Sequence, residues 1–152
     1  MATEITVKEM RDKIGEEISV GDWFEITQDR INQFADCTGD HQWIHVDLEK
    51  AAKGPFGKPI AHGYLTLSLL PTLQSGARFS IKGTKMGINY GLNKVRFLTP
   101  VPVGSRIRSR GVLSNIEEKE GGRILITNTL TIEIEGVAKP ACVAESLSLI
   151  YV

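Results

Sequence analysis

Between residues 61 and 77 the chain carries no Asp, Glu, Lys or Arg, and from Ile88 onward its apolar residues change from helical to alternating spacing. A helix that is apolar nearly all round must be buried. A strand with alternating polarity has one apolar face to hide. A chain holding one such helix and several such strands is constrained to pack the strands against the helix. In the first segment Leu65, Leu69 and Leu73 fall at i, i+4 and i+8, and Leu70 widens the stripe. Pro71 is expected to kink this helix or disrupt its last turns. Four segments rich in β-branched residues follow, at 88–97, 106–116, 123–135 and 138–152. In the third of them Leu130, Ile132 and Ile134 make one apolar face, opposite Thr129, Thr131 and Glu133. Gly121-Gly122 signals a hairpin between two such strands.

The first half is mixed. Residues 23–26 read as extended. Thr27 stands where a helix N-cap would, Ile31, Phe34 and Ala35 follow at helical spacing, and Gly39 closes the segment as a C-terminal glycine does. Residues 40–60 read as irregular, with a helical turn at 47–53 that Pro55, Gly57 and Pro59 prevent from continuing. Val20-Gly21-Asp22 and Val103-Gly104-Ser105 echo one another, each before a strand-like run. The element order predicts an α+β fold: one domain over 1–152, an antiparallel sheet packed on a long central helix.

Composition narrows the function classes. The 152 residues are 41% hydrophobic and 24% charged, as in ordinary globular domains. Lys+Arg and Asp+Glu are both 18, a balance that counts against a nucleic-acid binder. No stretch approaches the roughly 20 apolar residues of a membrane span. The first residues lack the basic-then-apolar pattern of a secretory signal. Cys37 and Cys142 have no metal-type spacing. They read as reduced, small, mostly buried residues of a cytosolic protein, with a disulfide between them as the alternative.

All three histidines, His41, His45 and His62, lie between positions 41 and 62, beside Asp40. Titratable residues crowded into a loop next to a buried helix point to a site. A carboxylate five residues from an imidazole can place both around one water, the carboxylate accepting its proton and the imidazole relaying one. Gly63 stands at the expected start of the buried helix. Backbone N–H groups there have no intrahelical partner, and the missing Cβ admits a substrate carbonyl. These three features together suit reversible proton transfer beside a carbonyl.

At these residues the sequence resembles the MaoC-like, or (R)-specific enoyl-CoA hydratase, branch of the hotdog-fold proteins. The matching run is Phe34-Ala35-Asp36-Cys37-Thr38-Gly39-Asp40-His41-Gln42-Trp43-Ile44-His45, followed by Ala51. A second match is Phe56-Gly57-Lys58-Pro59-Ile60-Ala61-His62-Gly63, leading into the central helix. A third is Val95-Arg96-Phe97-Leu98-Thr99-Pro100-Val101-Pro102-Val103-Gly104. The resemblance implies a single hotdog domain that hydrates trans-2-enoyl-CoA to (R)-3-hydroxyacyl-CoA, with no metal or redox cofactor. It implies Asp40 as principal base, His45 as partner acid/base and Gly63 as oxyanion donor. It implies a homodimer with the site near the subunit interface. The family's Asn-Pro is Gln42-Trp43 here. Gln42 is expected to replace the Asn in orienting the pair, and Trp43 to pack against the helix or line the acyl channel. A related branch, similar to nodulation protein N, carries comparable variants.

Other roles follow more loosely. Tyr64 reads mainly as core and alternatively as a border of the thioester pocket. His62 reads as a structural histidine bonded to loop backbone, His41 as solvent-facing or bonded within its loop. Lys82, Lys85, Lys94 and Arg96 are candidates for the CoA phosphates. Three rival functions stand beside hydration: an acyl-CoA thioesterase, a non-catalytic acyl-thioester binding module, and a metal-dependent lyase drawing ligands from Asp40, His41, His45 and His62. A Cys37 thiol nucleophile is disfavoured because no basic residue adjoins it.

Overall fold

The computed structural model describes residues 2–152. The chain begins with β1 (Thr3–Ile5) and α1 (Val7–Arg11). α1 starts at a capping box: Thr6 Oγ1 accepts the Glu9 N–H at 3.2 Å, and Glu9 Oε2 accepts the Thr6 N–H at 2.7 Å. β2 (Glu17–Val20) and β3 (Phe24–Glu25) follow, then α2 (Gln28–Thr38). Thr27 caps α2 through the Arg30 N–H, and Gly39 ends it at φ 78°, a conformation that favours glycine. α3 (Trp43–Val46) is a single turn, and α4 (Leu48–Lys53) is capped by Asp47 on the Lys50 N–H at 3.0 Å. The expected turn at 47–53 is therefore present. α3 has no periodic signal and lies within what reads as loop.

The central segment departs from the expected single long helix. It is α5 (Gly63–Ser68) and α6 (Leu70–Leu73), divided at Leu69. Pro71 has no N–H, so the Leu67 carbonyl lacks the donor that a regular helix supplies four residues on. The Leu69 and Leu73 N–H groups still reach Leu65 and Leu69 carbonyls at 3.1 and 2.9 Å, so the two pieces run on from one another. Leu65, Leu69, Leu70 and Leu73 are all buried, as the stripe predicts. Tyr64 is 70% exposed, which overturns its reading as core.

β4 (Phe79–Ile81) pairs with β1 in parallel. The four long strands are β5 (Met86–Phe97), β6 (Arg106–Lys119), β7 (Arg123–Ile134) and β8 (Cys142–Tyr151). They form an antiparallel sheet in the order β2-β6-β7-β8-β5, and β3 also pairs with β6. Gly121 and Gly122, at φ 75° and 68°, make the β6–β7 hairpin. The two echoed Val-Gly turns lead into strands that pair with each other, Phe24 opposite Ile107. On the inner face Leu130 and Ile132 join Leu65, Leu69, Leu70 and Leu73 in the main core. A second cluster, around Met10, Leu113 and Ile124, fills the far end of the sheet under α1. Cys142 is buried, which pushes its thiol up to about 11, while Cys37 is exposed on α2 and free. Cys37 thus departs from the buried expectation, and no disulfide joins the pair. Among the described residues no helix is long and apolar enough to cross a membrane.

β5 is an edge strand of the sheet, and all of its residues except Val95 are exposed. Two glycines set how close the central segment comes to the sheet. A Cβ on Gly21 would overlap the Leu73 carbonyl, and one on Gly76 would overlap the Val20 carbonyl. Backbone meets backbone there, with no flexible side chain to give way. Gly76→Ala is therefore expected to destabilise the fold by about 1–3 kcal/mol, as overpacking does. A urea denaturation midpoint equal to that of wild type would contradict this reading.

Candidate active site

The turn after Gly39 places Asp40 between α2 and α3. Asp40 Oδ1 accepts the Gln42 N–H at 3.3 Å, an Asx-type turn that starts α3. The single turn of α3 then carries His45 inward, to 6% exposure. Gln28, at the first position of α2, donates its side-chain N–H to the His45 carbonyl at 2.8 Å and ties the two helices. His45 Nδ1 lies 2.7 Å from the Ile60 carbonyl oxygen. A carbonyl only accepts, so Nδ1 carries the proton and Nε2 is left as the lone-pair nitrogen.

The His62 ring stacks on His45, centroids 3.8 Å apart and planes inclined by 23°. Its Nε2 lies 2.9 Å from the Asp40 carbonyl oxygen. Side-chain ligand atoms of Asp40, His45 and His62 all fall within 4.8 Å of one another. Asp40 and His45 are thus brought together as expected. Burial holds the His45 imidazole below its ordinary range, and His62 adds to that effect, while the bond to Ile60 and the charge of Asp40 oppose it. His41 points elsewhere. It is exposed and bonded to Asp36 at 2.9 Å, which holds its imidazole above the ordinary range.

Gly63 is the first residue of α5, so its N–H has no acceptor within the helix. It borders a cavity of about 210 Å³ together with His45, Thr66, Phe97, Leu98 and Ala141. The Phe97 ring would lie 3.2 Å from a Cβ at Gly63, so glycine lets the aromatic wall close over the helix start. The third sequence match, 95–104, supplies that wall. Phe97 and Leu98 lie within that match but have no site role in the sequence reading, and Thr66 carries no motif at all. They gather only because β5 ends beside α5.

The tentative substrate residues fare differently. Tyr64 packs edge-on against Phe97, centroids 5.9 Å apart, and does not itself line the cavity. Gln42 orients Asp40 with its backbone N–H, and its side chain makes no cap bond. Trp43 lies against Gly54, where a Cβ would come within 2.9 Å of the indole, and does not line this cavity. Lys94 and Arg96 border a neighbouring cavity that shares Leu98 with the first. Lys82 and Lys85 precede the other end of β5. Twelve residues of strand, about 40 Å, separate them from Phe97. The stacked geometry also bears on the metal-dependent reading. Imidazole lone pairs lie in the ring planes. Two planes inclined by 23° and stacked 3.8 Å apart do not converge at the roughly 2.0–2.1 Å of a Zn–N bond.

The pH consequence has a definite sign. With the His45 value depressed by burial, the unfolded chain takes up a proton first as pH falls. The neutral ring's contribution to stability is therefore complete above the ordinary imidazole range and is lost as pH drops through the depressed value. Ring resonances followed by NMR are expected to give His45 a midpoint below the ordinary imidazole value and His41 one above it. A His45 midpoint at or above the ordinary value would refute its burial as a neutral base.

Comparison with known proteins agrees with this fold. The family model for the MaoC like domain matches residues 9–135. The chain is 54% identical over 147 residues to "3-hydroxyacyl-thioester dehydratase Z" of Mycobacterium tuberculosis (strain ATCC 25618 / H37Rv), covering 97% of each protein. It is 42% identical over 148 residues to "Nodulation protein N" of Rhizobium leguminosarum bv. viciae, covering 97% of this chain and 92% of that one. Among solved structures, the monoamine oxidase regulatory protein of Archaeoglobus fulgius superposes with a TM-score of 0.80 at 26% identity, over 97% of this chain and 95% of the other. The (R)-hydratase of A. caviae involved in PHA biosynthesis gives 0.70 at 25% identity, over 89% and 94%. The sheet and the central segment it packs on are those of a hotdog protein, and the chain belongs to the MaoC-like domain family.

Proposed function

We propose that the protein is a 3-hydroxyacyl-thioester dehydratase, working reversibly as an (R)-specific trans-2-enoyl-thioester hydratase. The observation that carries this reading is the Asp40 carboxylate brought within reach of the His45 imidazole, which with Gly63 borders one cavity. The named dehydratase and (R)-hydratase relatives support it. In the hydration direction, Asp40 and the bare His45 Nε2 hold one water. The water oxygen bonds to C3 as the C2=C3 π bond breaks. The Gly63 N–H accommodates the negative charge that gathers on the thioester oxygen. The proton that water gives up to the pair is returned to C2. The atoms balance with no change of oxidation state, so the step calls for no redox cofactor.

Asp40→Asn and His45→Gln each remove a proton-transfer group and are each expected to lower kcat by about 10²–10⁴-fold with the fold intact. The assay follows loss of enoyl absorbance with crotonyl-CoA and one longer enoyl-CoA, with an (R)-specific dehydrogenase reading the product's hand. Normal turnover in either variant would remove that residue from the mechanism. Release of free thiol in place of hydration would make the protein a thioesterase.

We further propose that the protein works as a homodimer joined along β5. That strand is an edge, about 40 Å long, and it exposes Ile88, Tyr90 and Leu92 beside unpaired backbone groups. Such an edge is a template for a second strand, and a twofold pairing of β5 with its own copy would continue the sheet across both copies and cover their β5 edges. β5 ends at Phe97, so the pairing would also approach the catalytic cavity. Sedimentation equilibrium is expected to give about twice 16.7 kDa for wild type. Ile88→Lys combined with Leu92→Lys is expected to shift the mass toward one copy. A wild-type mass of a single chain would overturn the proposal.

A further inference from the structure

His62 has features that the proposed hydration leaves unused. Its ring is 3% exposed, stacked on His45 and packed against Phe34 at 4.9 Å. Its Nε2–H donates to the Asp40 carbonyl, so Nδ1 is a bare acceptor. Nδ1 is buried and has no partner among the described residues. A buried acceptor without a donor is destabilising. A phenyl ring would fill the same space and stack on His45 without an orphaned nitrogen. The position therefore demands both properties of an imidazole at once, an aromatic face and an N–H at the ring edge.

The catalytic pair needs both. Asp40 lies on an exposed link between Gly39 and α3. Its other bonds there are long: the Gln42 N–H at 3.3 Å to the carboxylate, and its own N–H to Thr38 Oγ1 at 3.4 Å. The His62 bond, at 2.9 Å, is the shortest of the three. His45 is held at one edge by Ile60, and that bond alone leaves the ring free to tilt about the Nδ1–O line. A stacked neighbour removes the tilt.

We propose that His62 is a positioning residue: its Nε2–H pins the main chain of Asp40 and its face sets the plane of His45, so that carboxylate and Nε2 meet the same water. This rests on Asp40 and His45 being the reacting pair. His62 itself does not line the catalytic cavity.

Two variants separate its two functions. His62→Gln offers Asp40 an amide N–H but removes the face. His62→Phe keeps the face but removes the N–H. Each is expected to lower kcat by about 10–100-fold with crotonyl-CoA, the scale of a small misplacement, while KM stays near the wild-type value. His62→Phe should melt at or above the wild-type temperature, because the orphaned nitrogen is gone. Placed on Asp40→Asn, either variant should cost little more, since residues that act as a unit are not additive. Asp40 and His62 are the titratable groups that bear on His45. Removing His62 should move the acid limb of kcat/KM to higher pH, because a neighbour that disfavours the charged ring has been lost.

Rates are taken per folded protomer, measured by circular dichroism. If both variants keep wild-type kcat, or if their losses multiply in full with that of Asp40→Asn, the positioning role is overturned while the hydratase reading stands. If wild type hydrates no enoyl thioester, the hydratase reading is overturned. The positioning role, which rests on that reading, then falls with it.

Discussion

The inner face of the sheet has to be covered, and α5–α6 is what covers it. Leu65, Leu69, Leu70 and Leu73 bury against Leu130, Ile132 and Cys142, joining the two halves of the chain in one core. Burying such side chains is worth about 1.5–3 kcal/mol each. The central segment sits close enough only because Gly21 and Gly76 let backbone pass backbone at its C-terminal end. Its other end is then fixed in space. That end is Gly63, and the residues on either side of it, His62 and Tyr64, inherit their places from the same packing.

The catalytic geometry follows from this anchor by a short chain of backbone hydrogen bonds. The Ile60 N–H donates to the Ile44 carbonyl at 3.0 Å, and the Ile60 carbonyl accepts from His45 Nδ1. The strand-like approach to α5 therefore sets both the depth of α3 and the tautomer of His45. Asp40 is reached from the other side, through its carbonyl and His62. Two imidazoles each give one N–H to a backbone carbonyl and present one bare nitrogen. They differ in what that nitrogen meets: the His45 ring borders the cavity, whereas His62 Nδ1 is sealed in protein.

β5 couples the site to the edge of the molecule. Its last residue, Phe97, forms the wall over Gly63 and meets Tyr64 edge-on. Along its remaining length Ile88, Tyr90 and Leu92 stay exposed. A long exposed edge strand is a liability in a lone domain, and natural edges are commonly blunted by charge or covered. Here the same strand supplies the cavity wall at one end and the proposed subunit contact along the rest, so assembly and site geometry share one element.

Period and spacing were enough for the α+β class, the four long strands, the helix at Thr27 to Gly39 and the buried leucine stripe, because each is dictated by burial of one face of a local element. That Asp40 meets His45, and that Gly63 opens the central helix, was likewise readable through spacing and family resemblance. Several things were not. The division of the central helix at Leu69 depends on how the chain accommodates Pro71. The exposure of Tyr64 depends on which side of α5 faces β5. The turn of Trp43 toward Gly54, the wall of Phe97 and Leu98, and the His62 stack join residues from separate parts of the chain. The residues alone dictate which faces must be hidden and which residue types stand at the turn before the central helix. Which atoms meet at the site, which nitrogen keeps its proton and which edge stays open were decided only by the tertiary structure, because those are matters of distance between elements far apart in the chain.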